Sequence, residues 1–143
     1  MQVLRRTQAI PQWLDSETRA LVEDIIDTLA EHNPEVFAII LYGSIARHDE
    51  LPLDDPDTSD VDLLALLDTD TPYTHLHKNS TFFHNIGEAE MRHRDAPREV
   101  QVMFSSRTMR EWDPTFIVNV AHDGILLFAR SPLPTALTSP PVI

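Results

Sequence analysis

At 143 residues the chain has the length of one ordinary domain and not of two. Lys plus Arg number 11 against 23 Asp plus Glu, a formal net charge of −12 at pH 7, which disfavours a long phosphate backbone as partner and so a sequence-reading DNA or RNA binder. The absence of cysteine removes disulfides, thiolate catalysis and cysteine-ligated zinc, while 42% apolar residues are enough for a folded core.

Along the chain, Met1 to Leu14 has no clear period; Arg5 and Arg6 are followed by no apolar stretch, so a signal peptide is not expected. No apolar run approaches the ~20 residues that span a bilayer, and the expected setting is the cytoplasm, with no membrane partner. Leu21, Val22, Ile25, Ile26, Leu29 and Ala30 recur at helical spacing, predicting an amphipathic helix from Ser16 to Glu31, capped by Asp15 or Ser16 and stopped at His32-Asn33-Pro34. Val36 to Tyr42 is an unbroken apolar run after a proline and predicts a strand buried on both faces. Gly43-Ser44 ends it, and Ile45-Ala46-Arg47 begins a short helix. Asp49 to Thr58, with two prolines and five acidic groups, reads as a loop. Ser59 to Leu67 predicts a second buried strand that opens with Asp60 and Asp62.

Residues 68–87 are hard to read; they contain Pro72, His75-x-His77 and Phe82-Phe83. Glu88–Arg94 and Arg98–Phe104 suggest a hairpin around Asp95-Ala96-Pro97, with Val100, Val102 and Phe104 alternating in the second strand. Met109–Trp112 and Phe116–Ala121 are expected in helices, Asp123-Gly124 in a turn, and Ile125–Phe128 in a last strand. Residues 1–130 then form one domain, and the proline-rich residues 131–143 a tail passing from order to disorder. Trp13, Trp112 and the phenylalanines are most simply core.

Chemistry concentrates at one place. Gly43 permits a sharp turn and close approach of a ligand, the amides after it suit an anion, and the Ser44 hydroxyl adds a donor. Asp60 and Asp62, two apart on a strand, leave the same face with backbones ~6.5–7 Å apart. At an effective dielectric of ~20 their repulsion is ~2–3 kcal/mol, and Val61, Leu63, Leu64, Leu66 and Leu67 beside them indicate an apolar sheet rather than a wet surface. A cation between them relieves that repulsion, and magnesium, a hard ion held by one or two carboxylates plus substrate phosphates, suits the position. Two weaker metal motifs fall away. Asp55, Asp57, Ser59 and Asp60 lack the glycine of a calcium loop and meet Leu66 at its twelfth position. His75-x-His77 has no third ligand in reach of its pattern.

Leu41-Tyr42-Gly43-Ser44, a spacer, and Asp60-Val61-Asp62-Leu63 together resemble the signature of the nucleotidyltransferase superfamily related to DNA polymerase β. Gly43-Ser44-Ile45-Ala46-Arg47 followed by Ser59-Asp60-Val61-Asp62-Leu63-Leu64 is similar to the minimal nucleotidyltransferases and to the catalytic domain of aminoglycoside adenylyltransferases. The spacer is longer than usual through the acidic Pro52–Thr58 stretch. Phe116 to Arg130 is similar to the family's closing helix, turn and strand, so the likeness spans roughly residues 20–130.

The resemblance implies an α/β (α+β) nucleotidyltransferase fold, a small mixed sheet with helices packed mainly on one face. It implies transfer of a nucleoside monophosphate, AMP from Mg-ATP, to a hydroxyl of a small molecule or partner protein. Asp60 and Asp62 would hold Mg2+, and Gly43, Ser44 and Arg47 would bind the triphosphate. A third carboxylate would complete the metal site or take the proton from the acceptor. Glu99 in Glu99-Val100-Gln101-Val102 is favoured for it, while the alternative register puts Gln101, a neutral amide, in that slot. The aminoglycoside enzymes add a helical domain for the acceptor, for which this chain has no room. A partner chain is therefore expected to help build the acceptor site, as a helical toxin recognised by an antitoxin or as a homodimer. A module of this fold that binds a partner or nucleotide without turnover is the competing expectation.

Overall fold

The computed structural model describes residues 4–70 and 81–139. The His75-x-His77 pair and Pro72 lie outside them. The first long helix, α1 (Ser16–His32), is capped by Asp15, whose carboxylate accepts from Thr18 N at 2.9 Å, and closed by Asn33 N donating to Leu29 O. Its buried residues include Leu21, Val22, Ile25, Ile26 and Leu29, the stripe expected from the sequence.

Five strands form one sheet: β1 (Leu4–Arg5), β2 (Val36–Tyr42), β3 (Val61–Leu67), β4 (Val100–Ser105) and β5 (Ile125–Ala129), in the order β1-β5-β2-β3-β4. All neighbours are antiparallel except β3 and β4, which run parallel. Central β2 and β3 carry apolar residues on both faces, which is why each reads as a continuous run. Alternation along β2 slips once: a bulge at Val36–Ala38 sends both Phe37 and Ala38 to the same side.

The remaining helices are α2 (Ser44–Arg47), α3 (Thr81–Arg92), α4 (Pro114–Asp123) and α5 (Thr135–Thr138). The two longest, α1 and α3, pack on one face over Ile39, Leu41, Leu63, Ala65 and Phe104. Shorter α4 and α5 cover part of the other, over Ala38, Ile40, Leu64 and Leu66.

Three local expectations are overturned. Glu88–Arg92 is the second half of α3, not a hairpin strand: Phe82, Ile86 and Ala89 are its buried stripe, and the helix is the crossover that a parallel β3–β4 pair requires. Gly87 interrupts that helix in the sequence, yet a side chain there would meet nothing within 4 Å, so the glycine marks no turn. Met109–Trp112 is a turn, with buried Met109 in the left-handed region at φ 59°. The turn is tied by the Glu111 carboxylate, which accepts from Ser106 N, Ser106 Oγ and Ser105 Oγ. Burial pushes the Glu111 carboxyl up, and the bonds from Ser106 and Ser105 outweigh it and leave the pKa below its ordinary value. Trp13, expected in the core, is 43% exposed. In the tail, Leu133, Ala136 and Leu137 pack against the second cluster.

Candidate active site

The site follows from how β3 meets its neighbours. Antiparallel pairing sets Tyr42 opposite Asp62, so the turn after Tyr42 begins beside the Asp62 carboxylate. Leu64 and Leu66 face the α4 side, and the two-residue period brings Asp62 to the same side. Gly43 adopts φ 81° and ψ −158°, a region essentially confined to glycine. A Cβ at that position would collide with Asp62 Oδ2. Glycine turn and acid are therefore in contact, as the sequence pattern anticipated. Ser44 opens α2 and Arg47 closes it.

Asp60 stands one residue before β3, half-buried like Asp62. Parallel pairing sets Gln101 opposite Asp62, and the Gln101 amide donates to Asp60 Oδ2 at 3.3 Å. Glu99 lies just before β4; its carbonyl accepts from Val61 N at 2.9 Å and its side chain is exposed. Among the described residues no three carboxylate or imidazole groups converge as metal ligands.

Burial, and then the Asp60 charge, raise the Asp62 pKa above the ordinary carboxylate value, with Arg47 offsetting part of the effect. Burial and Asp62 together push the Tyr42 phenol up to about 12. Arg47 itself is exposed and pairs with Asp49 at 3.1 Å. A half-buried carboxylate whose ionisation is opposed by burial and by a neighbouring acid suits a hard divalent ion that completes its shell with water and phosphate.

Beside the turn opens a cavity of about 190 Å3 lined by Tyr42, Gly43, Arg47, Phe116, Asn119, Val120 and Asp123. Its far wall is α4, started by Asp113, whose carboxylate accepts from Thr115 N. Phe116 meets Tyr42 edge-on at 5.4 Å and Trp112 at 4.8 Å. Trp13 serves the site from outside: its Nε1 donates to Ile45 O at 2.8 Å, and its ring stacks on His48 at 4.0 Å, fixing the end of α2.

Sequence reasoning missed Trp13 and the α4 wall. It also missed Arg98, which is 7% exposed and donates to the acidic loop at Leu51 O, Thr58 Oγ1 and Ser59 O. Nothing local marks Arg98, since those acceptors lie 39 to 47 residues upstream.

No helix among the described residues is long and apolar enough to cross a membrane. No curated protein matches the chain. Among solved structures it is similar to a toxin-antitoxin with AMP-PNP (17% identity, TM-score 0.48, covering 76% of this chain and 73% of that one). It is similar also to a mutant of the toxin-antitoxin MntA-HpeT (16%, 0.46, 77% and 73%). A candidate nucleotidyltransferase from Sulfolobus solfataricus gives 19% identity and a TM-score of 0.47 over 80% of this chain and 85% of that one. The family model described as polymerase beta, nucleotidyltransferase matches residues 23–133, a span holding the glycine turn, the acid pair and the α4 wall. On that match over most of its length, the chain belongs to the polymerase beta nucleotidyltransferase family.

Proposed function

We propose that the chain transfers AMP from ATP to a hydroxyl of a small molecule or partner protein, with pyrophosphate as the leaving group. The observation that carries this reading is the close approach of Asp62 to Gly43: the acid pair and the glycine turn stand side by side. Asp60 and Asp62 are the groups that would hold Mg2+. The ion would supply neutralisation of the triphosphate and of the departing pyrophosphate.

The chain's own residues orient and enclose. Backbone amides after Gly43 and the Ser44 hydroxyl would receive the β- and γ-phosphates, Arg47 would add charge at the rim, and the cavity under α4 is open to the rest of the nucleotide. Glu99 is proposed to take the acceptor's proton or complete the metal site. Catalysis then rests on positioning and charge neutralisation. A helical toxin as the protein acceptor, or a second copy completing the site, comes from the sequence resemblance and belongs to the same proposal, as does action in the cytoplasm.

A second reading is favoured by Gln101, whose amide and not a carboxylate reaches Asp60. On that reading the fold binds nucleotide or a partner without turnover. One experiment separates the two. The chain is incubated with ATP labelled at the α-phosphate, Mg2+ and candidate acceptors, including any small helical protein encoded beside it. Label transfer abolished by Asp60→Ala and Asp62→Ala supports the transferase; nucleotide binding without transfer to any acceptor supports the module. Within the transferase reading, Glu99→Gln abolishes transfer if Glu99 is the third acid. An increase in transfer with Gln101→Glu would assign the slot to residue 101.

A further inference from the structure

We propose that Arg98 is the positioning residue for Asp60, an inference that rests on the reading of Asp60 and Asp62 as the cation seat. Asp60 lies outside the regular strand, at the end of a loop with two prolines, and so has no ladder to hold it. Its two flanking peptide groups are nevertheless fixed, and by consecutive residues. Arg98 Nη1 donates to the Ser59 carbonyl at 2.7 Å, and the Glu99 carbonyl accepts from Val61 N at 2.9 Å. The same guanidinium donates to Thr58 Oγ1 at 3.1 Å and, through Nη2, to Leu51 O at 3.0 Å, so it spans both ends of the loop. Those ends are also tied to each other by Leu51 N donating to Ser59 Oγ at 2.8 Å.

Arg98 is in turn anchored from behind. Its Nε stands 3.9 Å from Asp15 Oδ1, a buried oxygen with no hydrogen bond among the described residues, and its backbone N donates to Thr18 Oγ1. A planar fork can serve several acceptors in fixed directions; an ammonium is a point charge and cannot span them. Arg98 thus holds Asp60 beside Asp62 against their mutual repulsion.

The test uses the full chain, with Mn2+ alone as probe. Mn2+ affinity is read by electron paramagnetic resonance, amide exchange over residues 58–61 by mass spectrometry, and folding by thermal midpoint. Arg98→Lys keeps the charge beside Asp15. It is expected to weaken Mn2+ binding about tenfold, as loss of an outer-shell partner does, and to speed exchange at 58–61 with the rest of the chain protected as before. A folded Arg98→Lys protein whose Mn2+ affinity stays within twofold of the parent overturns the proposal. If that variant does not fold, Thr58→Val, which removes one acceptor without unpairing a buried charge, decides. A loss of about threefold supports the proposal and an unchanged affinity overturns it. If Asp60→Asn leaves Mn2+ binding untouched, the cation seat itself is wrong, and the exchange rates alone then decide whether Arg98 fixes residue 60.

Discussion

On the α1–α3 side of the sheet, two polar clusters are well paired. Asn33, fully buried, donates to Thr81 Oγ1 at 2.7 Å and to Glu35 Oε1, and accepts from Asn85 Nδ2. Asp24 receives Arg92 through two bonds and His93 through a third. On the opposite side, Asp60 and Asp62 have a single side-chain amide between them among the described residues, and burial together with Asp60 raises the Asp62 pKa. The first side pairs its charges, whereas on the second burial and Asp60 oppose ionisation of Asp62; perturbed groups of that kind cluster at functional sites.

Removing core volume and removing the Asp62 charge should therefore act in opposite directions. Leu29→Ala, at a fully buried α1 position, is expected to cost about 2–5 kcal/mol in urea unfolding while the folded protein keeps its affinity for an ATP analogue. Asp62→Asn is expected to lower Mg-dependent transfer at least about 100-fold, since even outer-shell partners of metal ligands cost 10–100-fold. Without metal it should raise the thermal midpoint. The sign follows from the raised pKa: ionising Asp62 is harder in the folded state, so the parent protein loses stability as pH rises through that pKa, and the amide variant escapes the loss. A lower midpoint for Asp62→Asn at pH 7 would contradict the comparison.

Asn33→Ala leaves the Asn85 amide and the Thr81 hydroxyl without their partner and is expected to cost about 1–3 kcal/mol, with transfer unchanged in the folded fraction. The smallest effect belongs to Asp24→Asn. Hydrogen bonding from Arg92 holds the Asp24 pKa down to about 2, against burial that opposes it. Its contribution is present above the unfolded value of 3.8 and is lost as pH falls towards 2. The variant should thus differ slightly from the parent at pH 7 and match it at the acid end. Acid titrations of the two that run parallel throughout would show that Asp24 plays no part in this pH dependence.

What was legible in the sequence follows the same division. Runs that are buried on both faces, Val36–Tyr42 and Val61–Leu67, announce themselves by composition, and the Gly43 turn and the Asp60–Asp62 pair lie at their ends, so the short-range half of the site could be read directly. On the β4 side the strand itself was legible, at Arg98–Phe104, but its neighbour was not. A parallel neighbour arrives through a helical crossover, and the antiparallel hairpin was the simpler pattern for the same letters. Spacing left Glu99 and Gln101 equal because they are two apart, and only the register sets Gln101 opposite Asp62. Trp13 looked like core because a large ring usually is; here its N–H is used on Ile45 O and its face on His48. Met109–Trp112 lost its helix to the Glu111 carboxylate, whose bonds to Ser105 and Ser106 outcompete a regular turn.

The central claim is that the glycine turn and the acid pair act as one site, and a double-mutant cycle measures that unity. Binding of a non-hydrolysable ATP analogue with Mg2+ is compared in the parent, Gly43→Ala, Asp62→Asn and the double variant. Strong coupling is expected: the double variant binds about as poorly as the worse single one, with a coupling energy of about 1 kcal/mol or more. Losses that simply add, within about 0.5 kcal/mol, would mean that the two groups serve separate purposes and would contradict the claim.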